Sequence, residues 1–449
     1  MIIVDLPVGT SHPNGSLIRH KGLPLRLKKV TIENYKALGH LEFEVRDKLL
    51  FLIGANGAGK SSILQALSLV RYFATGATTH FFRDRGWKAG DVRPKTVNVR
   101  PLQAANSESG ARKLPARNFA ISLVLEHKQT ELLWTFRWSY SSERTVEEAI
   151  WILSPEDKLP RKVVGYPASA KDSDNLLTDL LRIGGLQLPG SIFALIRPDN
   201  LGRSDDDNAL LVELKSWAEQ ITSLEMLNPT TMRSRLIGDT DDIGAQGNRL
   251  ASFLANLSPS AKDRVVRRVR DFYPLRDLDT TRKRAGWIDM QVAERFKLMA
   301  RIDVEHMSDG FLRILALSAI PEFGEENDLI LLDEVEDGIE PHILPKLIER
   351  ISAESDAQLI MTSHSPLLIN FFDQEDVFIV GRDGSGHCVG ASAPTLRPFR
   401  EAEGYLGTGE IWANADMDWV YSSLPKFRAR RRSISEQPTA QEVLKHLRD

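Results

Sequence analysis

Apolar and polar residues alternate along the first ordered part of the chain, from Leu25 onward. "LRLKKVTIENY" predicts one strand, and "HLEFEVRDKLLFLIG" predicts two more, of which the second ends in a glycine loop. "SSILQALSLVRYFATG" then spaces its apolar residues as a helix does, and Gly76 supplies a C-terminal stop. These patterns predict three strands followed by a helix.

The middle of the chain has a different character. Residues 84–118 are rich in Arg, Lys, Pro, Gly and Ser and predict a long loop, and "FAISLVLEHKQTELLWTFRWSY" predicts two strands joined by a short turn. Apolar residues at helical spacing follow in "NALLVELKSWAEQITSLEML" and "GNRLASFLANLSPSAKDRVVRRVRDFY". The sequence therefore predicts mainly helical structure between about 150 and 290.

Strands and helices alternate again from about residue 300. Strands are predicted at "DLILLDE", "QLIMTSH" and "DVFIVGR", with helices at 309–320, "PHILPKLIERIS" and "PLLINFF". That order is typical of an α/β fold with a parallel sheet and crossover helices. We divide the chain into a flexible arm at 1–24, a first lobe at 25–150, a mainly helical insertion at 151–299, a second lobe at 300–390, and a C-terminal partner-contact segment with a basic tail at 391–449.

The composition limits the class of protein but does not indicate a function. Hydrophobic residues make up 42% and charged residues 27%, as in ordinary globular proteins, and the net charge of −3 does not select a partner. The single cysteine, Cys388, excludes an internal disulfide framework and fits a reducing cytosol. No apolar run is long enough to span a bilayer, and residues 1–22 lack the pattern of a signal peptide. We therefore expect a cytoplasmic protein without membrane contact.

The glycine loop after the third strand matches the pattern G-x-x-x-x-G-K-S. Its backbone N–H groups would surround the β- and γ-phosphates of a nucleotide, Lys60 would add a positive charge, and the Ser61 hydroxyl would ligate Mg²⁺. The candidate binding residues are Gly54, Ala55, Asn56, Gly57, Ala58, Gly59, Lys60, Ser61 and Ser62. A strand before the loop and a helix after it are the context that this pattern requires.

Two predicted strands of the second lobe end in polar residues. "DLILLDE" places Asp333 and Glu334 at the carboxyl edge of the sheet, where ligands bind in open α/β sheets. Asp333 would hold Mg²⁺ through water, and Glu334 would orient or deprotonate the attacking water. "LIMTSHS" places His364 at the end of another strand, where it could contact the γ-phosphate or that water.

A second anion site is indicated by "MSDGFLRILAL". Ser308 and Gly310 stand at the start of a helix, whose free N–H groups and partial positive charge favour an anion. This helix start lies in the second lobe and is expected on a different surface from Gly54. The two could share one nucleotide only if two subunits pack head to tail.

The order of these motifs resembles the ABC-type ATPase heads of the SMC/RecF/OLD group. "MSDGFLRILAL", "EVEDGIEPHIL" and "TSHSPLLIN" are similar to RecF-like AAA ATPases of bacterial defence and toxin-type operons, and "IENYKAL" is similar to their first strand. The resemblance covers residues 25–75 and 300–380. It implies a P-loop NTPase fold with a two-lobe ABC-type head, split here by the insertion, and it implies ATP and Mg²⁺ as cofactors.

Individual residues carry over from this resemblance. Lys60, Ser61, Ser308, Asp333, Glu334 and His364 match, and Lys36 is similar to a basic residue that contacts nucleotide phosphate in some members. The group has a signature sequence, Ser-Gly-Gly-Gln, at the start of this helix. Residues 308–311 read Ser-Asp-Gly-Phe instead, so only the serine and one glycine are kept. In this group a glutamine between the lobes ligates Mg²⁺. Gln103, Gln129 and Gln187 are all candidates for it, and the sequence does not decide among them.

The resemblance implies a homodimer with two ATP molecules between the subunits, and a role as the sensor ATPase of an anti-phage defence system. A separate, operon-encoded effector, such as a TOPRIM-like nuclease, would then be the partner, because no acidic nuclease constellation follows residue 380. The alternative is a RecF-like repair ATPase that contacts DNA through the basic stretch 262–284. A transporter ATPase is disfavoured by the long gap between the phosphate loop and the acidic strand.

Overall fold

A computed structural model describes residues 25–95, 116–166, 188–194, 204–225, 227–234, 242–283, 287–296, 300–323, 328–402, 404–414, 417–426 and 438–448. The strands are β1 Arg26–Tyr35, β2 Leu38–Glu44, β3 Leu49–Ile53, β4 Asn118–His127, β5 Thr130–Ser139, β6 Arg144–Leu153, β7 Arg161–Tyr166, β8 Thr222–Leu224, β9 Leu275–Arg282, β10 Ile288–Glu294, β11 Ile302–Asp303, β12 Leu329–Leu332, β13 Gln358–Ser363, β14 Val377–Arg382 and β15 Cys388–Ser392. The helices are α1 Lys60–Thr75, α2 Thr78–Asp84, α3 Asp205–Glu219, α4 Pro229–Met232, α5 Leu250–Asn256, α6 Pro259–Arg270, α7 Asp309–Ala319, α8 Leu344–Glu354, α9 Pro366–Ile369, α10 Arg397–Ala402, α11 Thr408–Asn414, α12 Met417–Ser423 and α13 Ala440–Arg448.

A six-stranded sheet, the central sheet, carries the motif residues. Its order is β15–β14–β3–β13–β12–β8, and only the edge strand β15 runs antiparallel. Strand β3, which leads into the glycine loop, lies between β14 and β13, with Ser363 paired to Ile53. Because parallel strands end at the same edge, the residues that follow β3, β12 and β13 meet there.

The two faces of the central sheet support two separate cores. Leu50 and Leu52 of β3 point into a core that also contains α1 and the inner face of the antiparallel sheet. Phe51 and Ile53 alternate to the other face, against α7, α8 and the C-terminal helices. Burial on both faces explains why β3 and β12 are continuous apolar runs.

The antiparallel sheet has the order β2–β1–β4–β5–β6–β7. Its inner face packs on α1, and helix α13 covers part of the outer face, where Val443 contacts a cluster with Val124, Leu133 and Trp151. A third, small sheet has the order β11–β10–β9. The predicted α/β fold is confirmed, and α1 ends at Gly76, which has φ 73° and donates its N–H to Phe73 O at 3.1 Å.

The predicted domain division needs correction in three places. The described part of 151–299 contains β7, β8, β9 and β10 beside α3–α6, so it is not mainly helical. The boundary at 150 falls inside β6, and the boundary at 390 falls inside β15. Strand β9, "LRDLDTTR", is polar on its exposed face, and this polarity hid its strand character in the sequence.

Two arginines of the basic stretch 262–284 form ion pairs with acidic side chains of the same chain. Arg268 of α6 is buried and binds Glu322, Glu354 and the carbonyl of Ser318 at 2.6, 2.5 and 2.9 Å. Arg264 also pairs with Glu322. These arginines attach α6 to α7 and α8, so Arg268 is not available to DNA, whereas Arg267 is exposed. DNA contact through 262–284 stays a prediction.

Arg268→Ala is expected to lower the free energy of unfolding by about 3–5 kcal/mol, because Glu322 and Glu354 would lose a buried partner. Arg267, on the same helix, is exposed, and Arg267→Ala is the control, with an expected change within about 0.5 kcal/mol. Urea denaturation followed by circular dichroism measures both. Equal midpoints for the two variants would contradict the structural role of Arg268.

The C-terminal segment, predicted to contact a partner, is described only in part. Trp412 of α11 is buried in the core, and the side chain of Trp419 is outside the described set. The arm 1–24 and the basic tail 427–432 also lie outside the described residues. Within the residues described, no helix is both long enough and apolar enough to cross a membrane.

Candidate nucleotide site

The glycine loop connects β3 to α1 at the carboxyl edge of the central sheet. Gly54 passes so close to β14 that a Cβ would lie 2.1 Å from Val380 O, and Gly59 has φ 118°, which favours glycine. Lys60 is the first residue of α1, so the free N–H groups of the helix start face the loop. Close packing and backbone conformation therefore explain both glycines.

Two side chains outside the motif hold this loop. Tyr421 Oη accepts a hydrogen bond from Ala55 N at 3.0 Å, and Arg382 Nε donates to Gly57 O at 2.6 Å. Ala55, Asn56 and Gly57 are exposed, while Ala58 is buried. Neither Tyr421 nor Arg382 was predicted, because each is distant in sequence from the loop that it contacts.

Lys60 is buried at the centre of the site. Its Nζ donates to Gly54 O at 2.8 Å and to Ala55 O at 3.3 Å, and it lies 2.8 Å from His364 Nε2. Burial lowers the pKa of Lys60, while the carboxylates of Asp333 and Glu336 oppose that shift. The ammonium group is thus held between the loop carbonyls and the imidazole of His364.

Ser61 and Asp333 meet although they are far apart in sequence. Ser61 Oγ donates to Asp333 Oδ1 at 3.2 Å, and Thr362 Oγ1 donates to the same oxygen at 2.6 Å. Mg²⁺ is commonly bound by one or two protein oxygens together with phosphates and waters, so this pair fits that ion. Among the described residues there is no group of three or more His, Cys, Asp or Glu side chains suited to a metal.

Thr362 also shapes the turn that follows β12. Its hydroxyl accepts a hydrogen bond from Glu334 N at 2.8 Å, and Glu334 has φ 49°, in the left-handed region. Glu334 is partly exposed. A hydroxyl inside the apolar run of β13 was the available sequence signal for Thr362, and our prediction missed it.

His364 directly follows β13 and faces Lys60. Because Nε2 lies 2.8 Å from the lysine ammonium, the imidazole accepts that hydrogen bond in its neutral form. Burial and then the Lys60 charge lower the pKa of His364, which favours the same form. The structure therefore brings together Lys60, Ser61, Asp333 and His364 at one edge, as their motifs predicted.

Lys36 lies beside the site rather than in the loop. It occupies the turn between β1 and β2 with φ 51°, and its Nζ donates to Gln65 of α1 at 2.7 Å. The same ammonium lies 3.7 Å from the centre of the Trp87 ring. Burial and the nearby Arg85 lower the pKa of Lys36 to about 8. A phosphate contact by Lys36 stays a prediction.

Ser308 and Gly310 lie on the other face of the central sheet from α1. Ser308 is the exposed N-cap of α7, and its Oγ accepts a hydrogen bond from Phe311 N at 3.3 Å. Gly310 packs against the turn after β12, where a Cβ would lie 2.7 Å from Gly338 O. Helix α7 belongs to the opposite core from α1, so the signature and the loop are separated within one chain.

The acidic residue in the signature is paired. Arg233, which follows α4, donates to Asp309 Oδ1 and to Met307 O, each at 2.7 Å. This ion pair offsets the negative charge that Asp309 would otherwise place beside an anion. The helix start therefore keeps its preference for a negatively charged ligand.

The glutamine expected between the lobes stays unassigned. Gln129 is exposed in the turn between β4 and β5, and Gln103 and Gln187 lie outside the described residues. Glu336, which was not predicted, lies inside the site, since its Oε1 accepts a hydrogen bond from His364 N.

Two family profiles match the chain on either side of its middle. Residues 26–109 match the family described as "AAA ATPase domain", and residues 248–370 match "AAA domain, putative AbiEii toxin, Type IV TA system". These two segments, which contain the glycine loop and the acidic strand, are therefore similar to ATPase domains of the AAA kind.

Among solved structures, heads of SMC proteins are similar to this chain. A head of SMC bound to the C-winged helix domain of ScpA is 12% identical, with a TM-score of 0.48, and covers 82% of this chain and 98% of its own. The SMC head domain from Thermotoga maritima is 14% identical, with a TM-score of 0.43, over 82% of this chain and 98% of its own. An SMC head with an extended coiled coil, bound to the C-terminal domain of ScpA derived from Pyrococcus furiosus, is 14% identical, with a TM-score of 0.43, over 82% of this chain and 96% of its own. No curated protein matches significantly.

Proposed function

We propose that the protein is an ATP-hydrolysing switch in which two copies pack head to tail around two ATP molecules. The observation that carries this proposal is the meeting of Lys60, Ser61, Asp333 and His364 at one sheet edge. Ser308 stands exposed on the opposite face of the sheet and would complete the site of the second copy. ATP would then favour the closed dimer, and hydrolysis would favour the open one.

The residues have separate roles in this mechanism. Lys60 and the N–H groups of the loop would bind the β- and γ-phosphates, and Ser61 and Asp333 would hold Mg²⁺, which neutralises phosphate charge when bound. Glu334 would accept a proton from water as the water oxygen attacks the γ-phosphorus and the bond to ADP breaks. Once Lys60 turns to the phosphates, the neutral imidazole of His364, with its proton on Nε2, would donate a hydrogen bond to the γ-phosphate.

The switch would act in the cytoplasm and control a separately encoded effector, such as a TOPRIM-like nuclease, in a bacterial defence or toxin-type system. Support comes from the match of residues 248–370 to a family described with a toxin–antitoxin system. The rival, a repair ATPase that binds DNA through 262–284, loses support because Arg264 and Arg268 bind Glu322 inside the chain.

Ser308→Arg tests the arrangement between subunits. The larger, positive side chain at the exposed helix start is expected to prevent the ATP-dependent dimer while ATP binding to the single chain stays within about threefold. Light scattering after gel filtration measures the dimer, and a fluorescent ATP analogue measures binding. Ser385, in an exposed turn far along the chain, gives the control Ser385→Arg.

Two results would contradict the head-to-tail arrangement. One is a Ser308→Arg protein that dimerises and hydrolyses ATP as the wild type does. The other is a Ser385→Arg protein that loses the dimer equally, since the effect would then not belong to the signature helix.

A further inference from the structure

The turn after β12 brings a third acidic residue back toward the end of β13. Val335 N donates to Thr362 O at 3.2 Å, and Ile339 N donates to Glu336 O at 3.2 Å. With Glu334 fixed at φ 49°, these bonds define the backbone on both sides of Glu336. The direction of the Glu336 side chain is therefore set by the fold.

Glu336 contacts the main chain of His364. Its Oε1 accepts the hydrogen bond from His364 N, and its Oε2 is buried without a hydrogen-bond donor among the described residues. A buried carboxylate oxygen without a donor costs free energy, and the bond from His364 N to Oε1 offsets part of that cost.

The N–H of His364 depends on this contact because the sheet ends just before it. Ser363 is the last residue of β13 that pairs with β3, and His364 follows it beyond the ladder. The imidazole of His364 lies 2.8 Å from Lys60 Nζ. Glu336 thus holds the main-chain N–H of His364, the residue whose imidazole faces Lys60.

We propose that Glu336 is a positioning residue that holds the main chain at His364 and so directs its imidazole to the phosphate site. This assignment rests on the proposed function, since it concerns the same hydrolytic site. Glu336 acts through His364, whereas Glu334 is the residue proposed to contact the attacking water. The two carboxylates, only two positions apart, therefore have different roles.

Charge in the site agrees with this assignment. Burial and the Lys60 charge lower the pKa of His364, and the carboxylate of Glu336 opposes them ahead of Glu334 and Asp333. The lowering by burial and Lys60 prevails, so His364 stays neutral although Glu336 binds its main-chain N–H.

A double-mutant cycle with His364 tests the proposal. Glu336→Ala is expected to lower kcat for ATP about 10- to 100-fold with KM within about threefold, because misplacing a group by about 1 Å can cost 100-fold. Glu336→Gln keeps an acceptor for His364 N and is expected to stay within about fivefold of wild type. In a His364→Ala background, Glu336→Ala is expected to cost no more than about twofold. The exposed Glu340 gives the control Glu340→Ala.

The outcomes separate this proposal from the proposed function. A wild type that does not hydrolyse ATP contradicts both. An active wild type overturns the role of Glu336 alone if Glu336→Ala costs as much with His364 absent, or if Glu336→Gln is as slow as Glu336→Ala. Should the alanine variant fail to fold, Glu336→Met, which fills the space without an acceptor, takes its place in the cycle.

Discussion

Lys60→Ala is expected to weaken ATP binding by at least about 100-fold and to remove measurable hydrolysis. The reason is that Lys60 supplies a buried positive charge at the loop, where its Nζ now contacts Gly54, Ala55 and His364 and would bind the phosphates in their place. A factor of 100 corresponds to about 2.7 kcal/mol of binding free energy. Isothermal titration calorimetry with ATP and Mg²⁺ measures the affinity, and phosphate release measures the hydrolysis.

The control for this variant is Lys346→Ala, which removes an exposed lysine from α8 without touching the site. It is expected to keep wild-type affinity and turnover. Thermal unfolding of both variants checks that a loss of binding is not a loss of fold. A folded Lys60→Ala protein that binds ATP within threefold of wild type would refute the site.

Glu334→Gln is expected to keep ATP binding but to slow hydrolysis by about 100- to 1,000-fold, because an amide cannot accept the proton of the attacking water. The uncleaved ATP should then hold the two chains together, so the dimer should accumulate. Gel filtration with light scattering in the presence of ATP measures the dimer. Single-turnover phosphate release measures the chemical step.

Glu349→Gln, at an exposed position of α8, is the matched control and should behave as the wild type does. Adding Ser308→Arg to Glu334→Gln should return the trapped dimer to a monomer that still binds ATP. If Glu334→Gln hydrolyses ATP normally, another group is the base. If it accumulates no dimer although hydrolysis has stopped, ATP does not join the chains.

The sequence was informative wherever a function depends on one strand and the loop after it. The glycine loop after β3, the acids after β12 and His364 after β13 are local patterns, so their common location follows once the sheet is parallel. The cores on the two faces also follow, because both faces of these strands are apolar. These parts could be predicted without long-range information.

Contacts between distant segments could not be predicted in the same way. Arg268 looked like part of a basic face, and only its pairing with Glu322 and Glu354 shows that it joins helices. Glu336 looked like one more acid in a loop until the turn placed it against His364. Tertiary pairing decides such roles, and no periodicity in the sequence records it.

Strand β8 was missed for a different reason. It has only three residues, too few to show the apolar spacing of a strand or of a helix. It also follows α3 without a clear break. Yet it forms the edge of the central sheet next to β12. Such a strand is stabilised by packing against its neighbour rather than by its own sequence pattern.

Strand β8 links the segment between the two lobes to Asp333 by a main-chain hydrogen bond. Leu224 O of β8 accepts the hydrogen bond from Asp333 N at 3.2 Å, and Arg233, a few residues on, holds Asp309 and Met307. A partner that pulls on this segment would strain both attachments at once. Tension applied there would thus reach Asp333 and the start of α7 together, so in the proposed dimer force as well as nucleotide could act on the switch.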